Sequence, residues 1–280
     1  MNTPGIIKRY ATKVLIHIFL IICAVFSIYP IIWIVMSSLN PGNALYSSTL
    51  IPKNITISHY VELFTETDFG LWYMNTLKIA FFTMVLSVVF VVITAYALSQ
   101  FRFRGRKLTL MTMLVLQAFP SFMSMIAVYL LLLQIGMLDT HLGLIIVYTA
   151  GAIPYGAWLV KGYFDSIPRS LPEAAKIDGA TNMKVFVKVM MPLSTPIITF
   201  IALTNFMAPW MDFILARLVL RTASKKTLAI GLFEMVRDRA NTEFTMFAAG
   251  AVMVAIPITV LFVILQRYVI QGIAEGACKT

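Results

Sequence analysis

The sequence predicts an all-α membrane protein, a polytopic helical bundle with six transmembrane helices. Hydrophobic residues make up 60% of its 280 residues and charged residues only 12%, whereas charged residues are about 25% of a typical soluble domain. A helix needs roughly 20 apolar residues to cross the hydrocarbon core of a bilayer, and six segments reach that length. They are 14–36, 74–99, 108–133, 142–163, 190–215 and 244–266. Their short connections leave no room for a separate soluble catalytic domain.

Residues 1–71 are predicted to contain a cytoplasmic N-terminal segment, the first transmembrane helix and an external loop. The basic N-terminus and the apolar run after it have the order of a signal peptide, but the run is long enough to span a bilayer and has no small-residue cleavage site. We therefore expect an uncleaved first span. The second span opens with Trp72 and Tyr73, which suit the membrane interface, and Asn75 or Thr76 is expected to cap its helix.

The connection between the second and third spans, residues 100–107, is too short for a domain and too charged to enter the bilayer. Its four basic residues predict a cytoplasmic turn that binds anionic lipid. Prolines inside the apolar runs predict bent helices, because proline frees a backbone carbonyl that neighbouring helices or cavity water must satisfy. These prolines are Pro30, Pro120, Pro154, Pro196, Pro209 and Pro257.

The net charge of +10 is explained by membrane topology rather than by nucleic-acid binding. If the N-terminus is cytoplasmic, 14 of the 22 Lys and Arg residues fall on the cytoplasmic side, as the positive-inside rule predicts, and both termini are cytoplasmic. The loop after the fifth span, residues 217–243, conflicts with this rule. Its basic residues are Arg217, Arg221, Lys225, Lys226, Arg237 and Arg239.

A charged segment interrupts the bundle between the fourth and fifth spans. Pro172 and Glu173 suit the start of a helix, since proline fits the first turn and a carboxylate is favourable near the positive end of the helix dipole. Small residues follow, and Gly179 permits a sharp turn into a second short helix. Because the segment is too polar for the bilayer, we expect it to lie in water at the membrane surface, where another protein can bind it.

This segment resembles the EAA loop of the permease subunits in binding-protein-dependent ABC importers. The residues that carry the match are Glu173, Ala174, Ala175, Asp178, Gly179, Ala180, Phe186 and Pro192. The C-terminal third is similar in particular to the MalG-type subunits of maltose and maltodextrin importers. The similar segments there are 227–232, 247–251, 256–259 and 266–276. The last four residues differ from the Lys-Gly ending that is typical of that family.

The resemblance implies a type I ABC importer permease with the MetI-like fold, whose transmembrane domain covers residues 72–280. It implies a coupling loop at about 165–192 that enters a cleft of the ATPase, and a C-terminal tail, 269–280, that touches the ATPase interface. The implied partners are a homologous second permease of the MalF type, two ABC ATPase subunits, an extracytoplasmic solute-binding protein, the oligosaccharide substrate and membrane lipid. No nucleic acid is expected. ATP and Mg²⁺ would be held by the ATPase, and no cofactor or metal by this chain.

The expected substrate is maltose or maltodextrin, with galacto-, arabino- or raffinose-type oligosaccharides as alternatives. Polar and aromatic residues inside the spans are candidates for the substrate path, namely Asn205, Trp210, Asp212, Gln117 and Tyr155. Asp212 stands out because an ionisable group inside a membrane is costly; alternatively, it lies at the outer end of its helix and pairs with Arg217. The resemblance also implies that the loop 217–243 approaches the binding protein, and we hypothesise that Arg237 and Arg239 meet an acidic rim there.

Other function classes receive less support. No Gly-x-x-x-x-Gly-Lys-Ser/Thr phosphate loop occurs, so ATP hydrolysis is expected on partner subunits. His17, His59 and His141 are scattered, which argues against a zinc site, and Cys23 and Cys278 are unsuited to a structural disulfide. An ion-driven secondary transporter would need buried charged pairs in several spans, and an intramembrane hydrolase would need a paired catalytic set. Neither class explains the charged segment between the fourth and fifth spans.

Overall fold

The computed structural model describes residues 3–42, 51–237 and 243–277, and the side chains within residues 12–268 of those ranges except Ser121. All regular structure in these ranges is helical, as predicted. The first seven helices are α1 (Thr3–Ser38), α2 (Ser58–Thr65), α3 (Phe69–Gln100), α4 (Arg106–Ala118), α5 (Ser121–Gln134), α6 (His141–Ser166) and α7 (Ser170–Ile177). They are followed by α8 (Asn182–Val185), a π-helical turn (Phe186–Met190), α9 (Met191–Leu193), α10 (Thr195–Met211), α11 (Ile214–Val219), a 3-10 turn (Ala223–Lys225), α12 (Leu228–Arg237) and α13 (Phe244–Ala277).

Within the described ranges, four helices are long and apolar enough to cross a membrane alone, namely α1, α3, α6 and α13. Two further candidate spans are bent pairs: α4 meets α5 at 107°, and the segment from α8 to α9 meets α10 at 78°. The bends that Pro120 and Pro196 predict within 108–133 and 190–215 are therefore present, and the chain has up to six spans if each bent pair is one span.

Proline accounts for the position of both bends. Pro120 stands between α4 and α5, and Pro196 lies in the first turn of α10, where its missing N–H and its ring prevent the preceding helix from continuing. The other four prolines in the apolar runs lie inside continuous helices. Proline alone thus does not decide where a helix of this bundle breaks.

The chain divides into two compact units, residues 1–67 with 234–255, and residues 68–233 with 256–280. In the first unit, the end of α1 is joined to α2 by polar contacts. The Ser38 and Tyr60 hydroxyls lie 2.7 Å apart, and the ring of His59 donates to the Asn40 carbonyl at 2.9 Å. Most side chains earlier in α1 are apolar and exposed, as suits a helix whose surroundings are lipid or another subunit.

The second unit is built around α3, which packs along α6 and α10. Gly156 permits the close approach of α6, since a Cβ atom there would lie 2.8 Å from Cγ2 of Val91; small residues commonly serve this purpose between membrane helices. Two apolar clusters lie towards opposite ends of α3. The first includes Val91, Tyr96, Phe164, Val185 and Met190, and the second includes Ile79, Leu132, Leu144, Val219 and Ile230.

Candidate functional site

The charged segment folds as a short helix with a tight glycine ending. Glu173 lies in the first turn of α7, which begins at Ser170. Gly179 follows the helix with φ of +81°, a left-handed conformation that glycine adopts without strain. Its N–H donates to the Lys176 carbonyl at 3.0 Å, and the N–H of Ala180 donates to the Ala175 carbonyl at 2.9 Å. This pair of bonds is a Schellman ending, so Gly179 is required by the turn itself.

One side of this segment is packed and the other is free. Ala175 and Ala180 contact the cluster around Tyr96 and Phe164. In contrast, Glu173, Ala174, Asp178 and Gly179 are exposed. Ile177, an apolar residue, is 85% exposed. Leu171, Met183 and Val187 of the same charged segment are exposed as well, and a group of exposed apolar side chains favours a surface that a protein partner covers.

Tyr96, near the C-terminal end of α3, holds the segment to the bundle. Its hydroxyl donates to the Asn182 carbonyl at 3.0 Å, and its ring lies 4.6 Å from that of Phe186 between centroids. Val185 and Met190 are completely buried in the same cluster. Phe186 therefore packs inward. Tyr96 could not be assigned to this site from the sequence, because 86 residues separate it from Asn182.

The rest of the motif leads into α10. The Thr181 hydroxyl caps α8 by accepting the Lys184 N–H at 3.4 Å, and a π-helical turn follows. The Met191 N–H donates to the Phe186 carbonyl, five residues back. Pro192 comes directly after and is exposed; since it has no N–H to donate, regular α-helical bonding cannot continue through it. The motif thus ends in the bend before α10.

The five candidate residues for the substrate path do not contact one another as a single cluster. Asp212 is partly buried, accepts the Tyr148 hydroxyl at 2.6 Å with one oxygen and accepts the Leu215 N–H at 3.2 Å with the other. It therefore caps α11 and ties it to α6. Trp210 is 3% exposed, and its ring meets that of Tyr73 edge to face at 5.3 Å.

The remaining three path candidates differ in exposure. The side-chain amide of Asn205 donates to the Ile201 carbonyl of its own helix at 2.8 Å. Gln117 on α4 and Tyr155 on α6 are exposed, and the described residues give them no hydrogen-bond partner. Their side chains are thus available to a substrate or to a neighbouring subunit, and their role in a path stays a prediction.

At the opposite end of α3, Asp139 organises the turn before α6 and the basic loop after α11. Its carboxylate accepts the Arg221 N–H at 2.8 Å, the Thr222 N–H at 3.0 Å and the Thr222 hydroxyl at 2.6 Å, and it pairs with the Lys225 ammonium at 3.1 Å. Partial burial raises the pKa of Asp139, but these bonds outweigh burial and hold the pKa well below its usual range. Arg221 also donates to the Tyr129 hydroxyl. Two of the basic residues that conflict with the charge rule are therefore bonded within this unit.

Two polar side chains near the start of α3 also form hydrogen bonds with the basic loop after α11. The Asn75 amide donates to the Ser224 and Lys226 carbonyls at 2.9 and 3.0 Å, and the Thr76 hydroxyl accepts the Leu228 N–H at 2.8 Å. The prediction that Asn75 or Thr76 caps a helix was wrong, because α3 begins earlier, at Phe69. These side chains instead fix the start of α12.

The hypothesis about an acidic rim on the binding protein names two arginines. Arg237 is exposed at the end of α12, and Arg239 lies outside the described residues.

Within the described part of the chain, no group of three or more His, Cys, Asp or Glu side chains is placed to hold a metal ion. The ring of His141 donates to the Lys225 carbonyl at 3.0 Å.

The described residues thus form a helical membrane bundle in which an exposed, charged helix lies between two candidate spans. The model of the family described as "Binding-protein-dependent transport system inner membrane component" matches residues 87–275, and the chain belongs to this family. The match includes the whole charged segment and both of its neighbouring spans.

The relatives are permeases of sugar ABC importers. The chain is 42% identical to the galactooligosaccharides transport system permease protein GanQ of Bacillus subtilis, over 98% of each chain. It is 37% identical to the maltodextrin permease MdxG of the same organism, over 97% of this chain and 98% of the relative. It is 34% identical to the maltose/maltodextrin permease MalG of Escherichia coli K12, over 94% of each. The resemblance to this family is confirmed.

A solved structure confirms the fold. A chain of a bacterial ABC transporter involved in the import of the acidic polysaccharide alginate superposes with a TM-score of 0.78 at 29% identity, over 96% of this chain and 98% of that chain. The architecture described above is therefore that of an ABC importer permease.

Proposed function

We propose that this chain is the permease subunit of an ATP-driven oligosaccharide importer, and that α7 with its Gly179 ending couples it to a separate ATPase. The observation that carries the proposal is the exposed surface of this segment, with Glu173, Ile177 and Asp178 free and Tyr96 holding the opposite side to α3. A movement of α7 would therefore pass through α8, which begins at Asn182, to Tyr96 in α3.

The proposed assembly contains a second, homologous permease, two ABC ATPase subunits that hold ATP and Mg²⁺, and an extracytoplasmic binding protein. Family membership supports the binding protein, because the family's description names binding-protein-dependent transport. The absence of a phosphate loop from the sequence supports separate ATPase subunits. The loop 217–243 is proposed to face the binding protein, with Arg237 and Arg239 as contacts, and both termini are proposed to be cytoplasmic.

The proposed substrate is a maltodextrin, as the similarity to the maltodextrin permeases suggests. A galactooligosaccharide is the second candidate, since the identity of 42% to the GanQ permease exceeds that of 37% to the MdxG permease. Uptake of labelled maltodextrins and galactooligosaccharides, measured in a strain that lacks this chain and in the complemented strain, separates the two. Restoration of galactooligosaccharide uptake alone would contradict the maltodextrin proposal.

The coupling proposal is tested by copurification. We expect the ATPase subunits to copurify with the wild-type chain and to be lost when Glu173→Ala and Gly179→Ala are combined, because the first removes an exposed contact and the second strains a left-handed turn by about 1 kcal/mol. Lys184→Ala, an exposed residue of α8, is the control. Full retention of the ATPase by the double variant would contradict the proposal.

A further inference from the structure

A polar cavity of about 250 Å³ lies between the turn after α3 and the start of α7. Four basic side chains from these elements line it, Arg102, Arg106, Arg169 and Lys176. The described part of the chain provides none of them with a hydrogen bond or an ion pair from its side chain. The cavity thus gathers cations from parts of the sequence that are about 70 residues apart.

Two carboxylates also line the cavity, but one of them is already bonded. Asp165 accepts the Ser99 hydroxyl at 2.7 Å and pairs with Lys161. Among the described residues this leaves Glu173 as the lining carboxylate without a partner, against four cations. An excess of positive charge in a concave polar site favours an anionic ligand, and guanidinium groups suit phosphate oxygens because they donate two bonds at once.

An apolar groove shares a wall with this cavity. The groove, of about 800 Å³, runs along the start of α4 and is lined by Phe103, Leu108, Leu110 and Met111, and Arg106 lines both spaces. Leu108 is 71% exposed, and α4 has no buried residue. A cationic cavity that continues into an apolar groove matches a molecule with an anionic head and a hydrocarbon tail.

We propose that this site binds an anionic phospholipid, with its phosphate among Arg102, Arg106, Arg169 and Lys176 and an acyl chain along α4. The proposal rests on the proposed function, because the permease topology puts this end of α3 at the cytoplasmic leaflet, where anionic lipids are concentrated. An acidic side chain of an ATPase would satisfy the cations but would leave the groove empty. The lipid would contact α7 and so link the coupling segment to α4.

The test uses the complete transporter complex in nanodiscs of phosphatidylcholine that contain a minor fraction of photoreactive phosphatidylglycerol. We expect cross-links in the peptides that contain residues 103–111 and 165–176, and none with photoreactive phosphatidylcholine. The double variant Arg106→Gln, Arg169→Gln should lose this labelling by roughly tenfold or more, since each basic residue near an anionic headgroup adds to the affinity. The control, Lys184→Gln with Lys188→Gln, removes the same charge from exposed residues that do not line the cavity and should label as the wild type does.

The outcomes are decisive in both directions. Equal labelling of the two double variants, equal labelling by both lipids, or complete competition by inorganic phosphate would overturn the proposal. Loss of the ATPase subunits from the Arg106, Arg169 variant, with unchanged labelling of the remaining chain, would show a protein contact instead. If no ATPase copurifies with the wild type, the proposed function fails, while the labelling of the chain alone still decides whether the cavity binds phosphatidylglycerol.

Discussion

Gly231 and Trp72 show how one residue fixes the position of a whole helix. The main chain of Gly231 in α12 lies directly on the six-membered ring of Trp72 in α3, and a Cβ atom at this glycine would overlap that ring. The indole is buried among its neighbours, so it cannot move aside without cost. Glycine is needed here for space, whereas at Gly179 it is needed for backbone conformation.

We predict that Gly231→Ala lowers the stability of the purified protein by about 1–3 kcal/mol, the usual range for overpacking a filled site. Thermal unfolding measured in one detergent would check this. Gly162→Ala is the matched control, since a Cβ atom there meets nothing within 4 Å. Trp72→Leu should partly restore the stability of Gly231→Ala, because leucine is smaller than tryptophan and leaves space for the added methyl group. An unaltered unfolding temperature for Gly231→Ala would contradict the assigned contact.

Asp212 illustrates a charged residue in an apolar stretch whose contacts are structural. Both carboxylate oxygens are used, one by the Tyr148 hydroxyl and one by the N–H of Leu215. The Leu215 N–H needs one acceptor oxygen, and the Tyr148 hydroxyl can instead accept a hydrogen bond from an amide NH2 group, so neither interaction needs a negative charge.

We therefore predict that Asp212→Asn keeps at least half of the wild-type oligosaccharide uptake, because the amide oxygen can still cap α11. Asp212→Ala should lose most of the uptake and show lower stability, by about 1–3 kcal/mol for the donors left without a partner. Oligosaccharide uptake and thermal stability are measured for both variants at matched expression. If Asp212→Asn abolished uptake while the stability stayed normal, the negative charge of Asp212 would have a role in transport.

At the scale of elements, α3 holds the proposed coupling segment through α8 and the π-helical turn, which follow α7 in the chain. The contact consists of one hydrogen bond, from Tyr96 to the Asn182 carbonyl, and of ring packing between Tyr96 and Phe186. Tyr96→Phe removes the first and leaves the second, so the two contributions can be separated.

We predict that Tyr96→Phe weakens the attachment of the coupling segment by about 1 kcal/mol, the net value of a typical hydrogen bond. The ATPase subunits should still copurify, but the number of oligosaccharides imported per ATP hydrolysed should fall several-fold, because movement of α7 would be transmitted less rigidly. Tyr29→Phe, an exposed tyrosine of α1, is the control. An unchanged transport ratio would mean that ring packing alone transmits the movement.

The loop that contains the 3-10 turn Ala223–Lys225 is held in a comparable way by Asp139. This residue has φ of +57°, a conformation that Asn and Asp tolerate better than other side chains, so Asp139→Asn removes the charge with little backbone strain. Because the folded-state pKa of Asp139 is lowered, its stabilisation is complete above the unfolded pKa of about 3.9 and is lost as the pH falls towards the lower folded value.

We predict that Asp139→Asn lowers stability by about 1.5 kcal/mol at pH 7 and exposes Lys225 and Lys226 to faster cleavage by trypsin. The difference in stability from the wild type should stay constant between pH 7 and pH 5 and shrink below about pH 4. Glu66→Gln, an exposed carboxylate without a partner in the described residues, should change neither quantity. A difference that grows as the pH falls would refute the assigned direction of the pKa shift.

At the scale of the whole molecule, the fold explains part of the conflict between the basic loop and the positive-inside rule. Arg221 and Lys225 are bonded to Tyr129 and Asp139, so these two charges stabilise the external end of the second unit in the proposed topology. In that unit, the proposed coupling segment and this loop contact α3 at Tyr96 and Asn75. These residues lie 21 positions apart in one helix, which at 1.5 Å each is about 31 Å and is enough to span a bilayer.

We predict that the proposed coupling segment and the loop that contains the 3-10 turn Ala223–Lys225 are accessible to a reagent from opposite sides of the membrane. In a chain with both cysteines replaced by serine, Ser224→Cys should react with a membrane-impermeant maleimide on intact cells, and Asp178→Cys should react only after permeabilisation. Both positions are exposed, so a difference in labelling reports sidedness rather than burial. Labelling of Asp178→Cys in intact cells would reverse the proposed topology.

Hydropathy and local motifs alone predict the class of the fold, the presence of six apolar segments and the motif between the fourth and fifth. These properties depend on residues that are close together in the chain, because hydropathy over one span and the Gly179 turn are local. The packing of the helices was needed to show the angles at which the apolar runs bend, the contact between Asp212 and Tyr148, and the bonds from Asn75 and Thr76 to the chain before and at the start of α12. The bonds from Tyr96 to Asn182 and from Thr222 to Asp139 join residues 86 and 83 positions apart. Such partners depend on how the helices pack, and no local pattern in the sequence encodes that packing.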